Sequence, residues 1–185
     1  TKEVSLGNDG NISMENLKNS INNDLANNFG NLCQRVFSFV SKNCNNKIPK
    51  VTSEESSDTL NDNLINKVPE LINDMNNQNL NSYIKKVIDF SFDANKYFND
   101  SQPWEVKKKD IKKMNKIIFS VINQIKNISI LLSPIIPVST NKVLDILNLD
   151  KKDRLIDSIS KKNILNHDKE LQKIEILFRK IENDS

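Results

Sequence analysis

The sequence has few of the residues that end strands and helices, with 3 Gly and 5 Pro among 185 residues. This composition disfavours a β-sandwich or barrel, in which many turns join short strands. Metal ligands are also scarce, because Cys33, Cys44 and the single histidine, His167, follow no zinc-ligand spacing. We therefore predict a helical protein with no metal site.

Long apolar runs are absent, since no stretch approaches the roughly 20 residues that cross a bilayer. No charged-then-apolar leader precedes Val4, and two thiols in a chain of this size need not form a disulfide. We predict a cytoplasmic protein that contacts neither a membrane nor DNA. Because the chain begins with Thr1, we expect a fragment or a processed product.

Helical periodicity dominates the sequence. Apolar residues recur at steps of three or four, as in amphipathic helices, and the clearest run extends from Ile111 to Leu132. Pro69 predicts a kink or a new helical start, and Pro103 should force Gln102 out of the helical region. The predicted helices span residues 13–42, 60–75, 79–100, 110–132 and 137–147. They predict an all-α, antiparallel bundle of four to five helices with a long pair at its centre.

The sequence offers little for catalysis. A single histidine removes most Ser-His and Cys-His pairs, and no glycine-rich loop is present to hold phosphates. Carboxylate pairs such as Glu54 and Glu55 are common on surfaces, and nothing indicates an acid and a base of separated pKa. We expect His167 to be a solvated surface side chain, and we predict no catalytic residue and no cofactor in this chain.

The only tryptophan, Trp104, follows Pro103 between two predicted helices, and positive charge follows it directly. Residues 105–116 include six lysines and two acidic residues, a local charge of +4 against +3 for the whole chain. A rigidly held ring beside cations suits an unpaired nucleobase, which stacks on the ring while ammonium groups bind its phosphates. Alternatively, Trp104 closes the end of the bundle and the lysines are a solvated surface. The lysines predicted to bind RNA are Lys107, Lys108, Lys109 and Lys112.

Arg35 is a second indication of base recognition, because only 3 arginines accompany 24 lysines. Its planar guanidinium can address a base edge, which an ammonium group cannot do. Asn31 stands four residues earlier and therefore lies on the same helical face. The two side chains could read the donor and acceptor positions of one base, or they could serve as a cap and a surface ion pair.

At these residues the chain resembles the C-terminal, anticodon-binding region of the methionyl-tRNA synthetase family, over nearly its whole length. Residues 23–35 are similar to the family's first-helix signature, and Gln102-Pro103-Trp104 is similar to its Q-P-W corner. The other similar segments are residues 8–13, 132–137 and 177–182. The family's ATP-binding and adenylate-forming signatures are absent from these 185 residues.

The resemblance implies a domain organisation. Residues 1–12 would be a connecting segment from a missing catalytic domain, residues 13–160 the helical anticodon-binding domain, and residues 161–185 a tail. The family's tail is extended, so we expect an irregular tail, although residues 171–181 have helical spacing.

The resemblance also implies a partner and a division of roles. In the family, the tryptophan of the corner stacks on an anticodon base, and an asparagine and an arginine recognise the wobble cytosine of CAU. By position these are Trp104 with Pro103, and Asn31 with Arg35. The implied partners are the anticodon loop of tRNA(Met) and the missing catalytic domain, which would use ATP to attach methionine to the tRNA.

Two other functions stay open. The apolar corner around Trp104 could dock a protein, in a helical interaction domain without catalytic activity. The chain could also be the anticodon-binding domain of another class I aminoacyl-tRNA synthetase. A steep loss of affinity with salt would favour phosphate contacts over the first alternative, and the combination of Asn31, Arg35 and Pro103-Trp104 disfavours the second.

Overall fold

The computed structural model describes residues 15–16, 19, 23–52, 58–161 and 164–173, and within these residues all regular structure is helical. A π-helical turn, Leu25–Phe29, leads into α1, Gly30–Asn43. The remaining elements are α2 (Thr59–Asn76), α3 (Leu80–Ser101), α4 (Pro103–Val106), α5 (Ile111–Leu132), α6 (Pro137–Ile146), and 3-10 turns at Lys151–Asp153 and Ile156–Ser158. The all-α prediction is confirmed. The start predicted for the first helix, residue 13, lies outside the described residues.

Local signals account for most helix boundaries. The Asp110 carboxylate accepts from the backbone N–H of Lys113 at 3.0 Å and so caps α5, as predicted. Asp58 caps α2 in the same way, accepting from the backbone N–H of Asn61 at 3.2 Å. Pro137 occupies the first turn of α6, where its missing N–H costs no hydrogen bond.

α3 and α5 form the antiparallel pair at the centre of the bundle. The Tyr83 hydroxyl, near the start of α3, donates to the carbonyl oxygen of Leu131, near the end of α5, at 2.6 Å. Every residue of α5 from Ser120 to Leu132 is buried, because other elements cover this helix on all sides. The opposite end of the pair is joined through α4, which is the corner that carries Trp104.

The two prolines that were expected to disturb helices behave differently. Pro69 lies inside an unbroken α2 on its exposed side, so of the two predicted outcomes, a kink or a new helical start, the new start does not occur. Exposure explains the tolerance, because water can hydrate the carbonyl that has lost its amide donor. Gln102 does leave the helical region before Pro103, but it adopts a left-handed conformation instead of an extended one.

The described part of the tail, residues 164–173, is irregular, as predicted, and packs along the bundle. The backbone N–H of Leu171 donates to the Asn46 carbonyl oxygen at 2.7 Å. His167 stacks on Phe119, with centroids 5.8 Å apart, and its Nδ1 lies 3.0 Å from a backbone carbonyl oxygen. The expectation of a solvated histidine is therefore wrong. Residues 174–185, which include most of the helical spacing noted above, lie outside the described residues.

Candidate nucleic-acid interface

The corner between α3 and α5 holds the backbone before Trp104 in a fixed shape. Gln102 has φ 45° and ψ 62°, a region in which residues other than glycine are uncommon. Its carbonyl oxygen accepts from the backbone N–H groups of Glu105 and Val106, at 2.9 and 3.0 Å. Pro103 is buried and opens α4. The corner therefore sets the direction in which the Trp104 side chain leaves the backbone.

Trp104 is half-buried and packs against the hydrophobic core. Its ring meets the ring of Phe98 edge to face, with centroids 5.6 Å apart and planes at 71°. Both interpretations from the sequence describe part of this side chain, since it closes one end of the bundle and yet keeps an exposed portion. An indole already ordered in this way can accept a stacking base without first losing side-chain freedom.

Arg35 reaches the same aromatic ring from α1. Its Cζ lies 5.1 Å from the centroid of the Phe98 ring, which is within the range of a cation–π contact. Its Nη2 donates to Oδ1 of Asn99 at 2.6 Å. The guanidinium is exposed. Arg35 and Trp104, which have the rest of α1 and the whole of α2 and α3 between them in the sequence, therefore lie at the same end of the bundle.

One face of α1 carries Asn31, Arg35, Phe39 and Asn43 at steps of four, so that they line up along the helix. The Phe39 ring meets Phe98 edge to face at 6.4 Å. The next member towards the C-terminus, Asn43, accepts through Oδ1 from the Lys107 ammonium at 2.6 Å. This face of α1 therefore lies against the end of α3 and the corner.

Asn31 is exposed, and its amide nitrogen donates to the Asn27 carbonyl oxygen at 2.9 Å. Asn27 belongs to the π-helical turn that precedes α1. α3 holds this turn in place, because Asn95 donates from Nδ2 to the carbonyl oxygen of Asn28 at 3.2 Å and also to its side-chain oxygen. Such turns are frequent at functional sites. The Asn31 side chain is thus tied to a turn that α3 itself holds in place.

The four lysines named from the sequence differ in their surroundings, although all are exposed. Lys107 bonds to Asn43, and the Lys108 ammonium lies 3.0 Å from the Glu105 carboxylate. Lys109 and Lys112 form no ion pair within the part of the chain that the structure describes. These two ammonium groups are therefore the more available for an external anion.

Two supporting residues, Phe98 and Asn99, were missed by the sequence analysis. Apolar steps of three and four along α3 lead from Phe90 through Ala94 to Tyr97 as readily as to Phe98, but Phe98 is the buried residue, at 2% exposure, and Tyr97 is half-buried. The spacing Phe90, Ala94, Phe98 carried the signal, since steps of four are equally compatible with one helical face. Asn99 had no signal, because the one side-chain hydrogen bond it forms among the described residues spans 64 positions.

A cleft of about 370 Å³ lies elsewhere on the bundle, and its lining includes none of the residues predicted to bind RNA. It contains three carboxylates, those of Asp58, Asp93 and Asp100, against the single ammonium group of Lys96. Burial and the Asp58 charge both raise the pKa of Tyr97, which also lines it. This negative cleft is unsuited to a phosphate group, because like charges repel.

The cysteines do not indicate a reactive or metal-binding site. Both are free thiols, and burial raises the pKa of Cys44 to about 11 and that of Cys33 well above its usual range. No cluster of three potential metal ligands occurs among the residues that the structure describes. The described helices likewise include none whose length and hydropathy would allow it to span a bilayer.

Similar proteins assign this arrangement to a family. Residues 48–185 match the family described as the anticodon binding domain of methionyl tRNA ligase. The methionine–tRNA ligase of Rickettsia felis is 32% identical over 196 residues, which cover 99% of this chain and 36% of that protein. The enzyme of Brucella suis is 33% identical over 147 residues, covering 79% of this chain and 28% of that protein.

Solved structures give the same result for the fold. The chain matches the free methionyl-tRNA synthetase of Mycobacterium tuberculosis with a TM-score of 0.76 and 24% identity, over 90% of this chain and 34% of that one. The same enzyme in complex with methionyl-adenylate matches with a TM-score of 0.74 and 26% identity, over 89% of this chain and 33% of that one. The chain thus spans about a third of the length of the relatives it matches. It belongs to the methionyl-tRNA ligase family and corresponds to the anticodon-binding domain of that family.

Proposed function

We propose that this chain binds the anticodon loop of methionine tRNA, with the anticodon CAU, as part of a cytoplasmic methionine–tRNA ligase. The observation that supports the proposal most directly is the shared contact of Arg35 and Trp104 with the ring of Phe98. It places a stacking surface beside a group that can donate to a base edge. An unpaired loop offers both a base face and a base edge, whereas a duplex conceals the faces.

Each side chain has a distinct role in this proposal. A base splayed from the loop stacks on Trp104, which is typically worth about 1–3 kcal/mol per base. Arg35 donates to acceptor atoms of the wobble cytosine, and Asn31, whose Nδ2 is partly engaged by the Asn27 carbonyl, accepts from the exocyclic amino group through Oδ1. Pro103 keeps the ring in position, and no side chain in this chain acts as a catalyst.

The lysines provide the phosphate contacts. Lys109 and Lys112 carry exposed ammonium groups without an ion-pair partner among the described residues, so they can bind phosphates at little cost. To bind a phosphate, Lys107 must first leave Asn43, and Lys108 must first leave Glu105. Their contribution is therefore smaller.

The remainder of the parent protein would supply the chemistry. The relatives are about three times as long as this chain, and we propose that the missing part holds the catalytic domain, which uses ATP to attach methionine to the tRNA. This chain would contribute binding energy and alignment alone, and we propose no cofactor for it.

Titration of the 185-residue chain with anticodon stem-loops tests the proposal. One stem-loop carries CAU, and a second differs only in the wobble base. Trp104→Ala should weaken binding to the CAU loop roughly 5- to 100-fold, and Arg35→Ala should remove most of the preference for CAU. Phe92→Ala is a matched control, because Phe92 is an aromatic residue of α3 that is 50% exposed and lies outside the site. Equal losses on both RNAs would contradict base recognition.

Salt dependence separates the proposal from docking of a protein. Phosphate contacts make log K fall linearly with log salt, by roughly 0.7 per contact for single strands. An apolar protein interface around Trp104 would respond little to salt. If the chain binds neither stem-loop at low salt, the RNA-binding function is wrong.

A further inference from the structure

Phe98 lies beneath the two residues proposed to contact the base, but it cannot contact RNA itself, because only 2% of it is exposed. The Arg35 guanidinium lies over its ring at 5.1 Å, and the Trp104 ring approaches it at 5.6 Å with planes at 71°. The Phe39 ring also meets the Phe98 ring edge to face, with centroids 6.4 Å apart and planes at 86°. A single buried ring of α3 therefore contacts residues from both α1 and the corner.

We propose that Phe98 is a positioning residue that holds Arg35 and Trp104 in one arrangement, so that the two side chains act on the RNA as a unit. This proposal deepens the proposed function and rests on it. It assigns to a core phenylalanine a role in base discrimination in addition to its role in packing.

The contacts of Arg35 explain why it depends on the ring. The only hydrogen bond of its side chain in the described part of the chain is to Asn99, and that bond is exposed to water. Exposed polar pairs hold long side chains weakly, because water competes and side-chain entropy opposes them. The π face of Phe98 adds a second contact that does not compete with the donors on Nε and Nη1. The ring thus orients the guanidinium and leaves donors for a base.

The contact with Trp104 depends on the same ring. Pro103 and the left-handed Gln102 fix the backbone, but the side-chain torsions of Trp104 still need a neighbour to select one orientation. The edge-to-face contact with Phe98 supplies it. An aliphatic side chain at position 98 would keep the site apolar and yet provide neither a π face for Arg35 nor a ring for Trp104.

Phe98→Leu tests the proposal, with Phe90→Leu as the matched control. Phe90 is also a buried ring of α3, at 3% exposure, with a cation over it, since Lys67 Nζ lies 6.0 Å from its centroid. Phe98→Leu should weaken binding to the CAU stem-loop about fivefold and reduce its preference over the wobble-changed loop. Phe90→Leu should change neither, although both variants lose an aromatic core contact.

Combining Phe98→Leu with the loss of Arg35 and Trp104 shows whether Phe98 acts through these two residues or through the stability of the whole bundle. In an Arg35→Ala/Trp104→Ala background, adding Phe98→Leu should change affinity less than about twofold, because nothing remains to be positioned. A full fivefold effect in that background would overturn the proposal. If Phe98→Leu fails to fold, Phe98→Met, whose flexible side chain adapts to an irregular gap without supplying a ring, takes its place.

A measurement without RNA separates this proposal from the proposed function. Trp104 is the only tryptophan, so tryptophan fluorescence, excited where tyrosine does not absorb, reports its surroundings alone. Phe98→Leu should make Trp104 more accessible to acrylamide and should increase the mobility of the Arg35 side chain in NMR relaxation, whereas Phe90→Leu should do neither. Unchanged quenching and mobility would overturn the positioning role even if RNA binds. Failure of the wild-type chain to bind RNA, with these changes present, would instead overturn the proposed function alone.

Discussion

Lysines at the start and in the middle of α5 occupy opposite environments. Lys109 and Lys112, around its first turn, are exposed. Lys126, in its middle, is 0% exposed and donates from Nζ to the Lys161 carbonyl oxygen at 3.1 Å. The first pair can bind an external anion, whereas Lys126 ties the segment that follows the last 3-10 turn to the core. The comparison shows that a lysine's function depends on what covers its helix, because its long stem tolerates either environment.

The largest expected effect is a loss of stability on reversing the buried charge. Lys126→Glu places a carboxylate near the Lys161 carbonyl oxygen and within electrostatic range of Asp153, which already interacts with Lys126. We expect the free energy of unfolding to fall by about 3 kcal/mol, as for other uncompensated buried charges. Urea denaturation measures it. Lys112→Glu is the control and should stay within about 0.5 kcal/mol of the wild type; equal losses would contradict the contrast between the two regions.

The second effect concerns RNA binding, for which the exposed Lys112 should matter although it contributes little to stability. Lys112→Glu should weaken binding to both stem-loops and lower the slope of log K against log salt by roughly 1. Lys85→Glu, at an exposed position of α3, is the control. A titration series from low to high salt makes the measurement. An unchanged slope for Lys112→Glu would place the phosphate contacts elsewhere.

The third effect is a pH dependence of stability. Burial lowers the pKa of Lys126 from 10.5 to about 8, with Asp153 opposing the shift. Between these values the unfolded chain binds the proton that the folded chain has released, so the stability of the wild type rises with pH. From pH 7 to 9 we expect it to gain about 1 kcal/mol over Lys126→Met.

Taking the difference between these two proteins removes the contributions of other groups. Burial raises the pKa of Tyr83 to about 12 and that of Cys44 to about 11, and both groups lower stability at alkaline pH in either protein. If the free energies of unfolding of the wild type and of Lys126→Met change by the same amount between pH 7 and 9, Lys126 is charged in both the folded and the unfolded state, against the prediction.

The smallest effect sharpens the comparison within the exposed lysines. The Lys108 ammonium already pairs with Glu105 at 3.0 Å. Removing this ammonium group in Lys108→Ala should therefore change the affinity for the CAU loop less than about twofold. Replacing an exposed Glu105 partner by a phosphate gains little free energy. Lys109→Ala is the comparison and should have the greater effect. The reverse order, measured under the same salt conditions, would show that the ion pair opens on binding.

Much of the fold was predictable because its signals are local. The cap at Asp110, the stop after Leu132 and the restart at Pro137 are each set by residues within a few positions of one another. Sequence alone left a kink and a new helical start open at Pro69, and α2 instead continues through it, because tolerance of that proline depends on its exposure in the bundle. The burial of Phe98 instead of Tyr97 likewise depended on which side of α3 faces its neighbours.

The candidate site was predictable in part. Asn31, Arg35, Pro103 and Trp104 were identified from residue type, spacing and family resemblance, and the structure places Arg35 and Trp104 against one ring. Their contacts with RNA stay predictions. The packing of His167 on Phe119 had no local signal, because it joins residues 48 positions apart and its geometry exists only once the tail is in place.

By itself, the sequence determined where most of the described helices begin and end, the positive charge that follows Trp104, and the family to which the chain belongs. Periodicity, caps and prolines act over one or two helical turns, so no distant residue is needed to interpret them. Only the tertiary structure decided that α5 buries Lys126 while exposing Lys112, and that Phe98 joins Arg35 to Trp104. Such contacts depend on how whole helices pack, since the face that each one turns to its neighbours is set by all of them together.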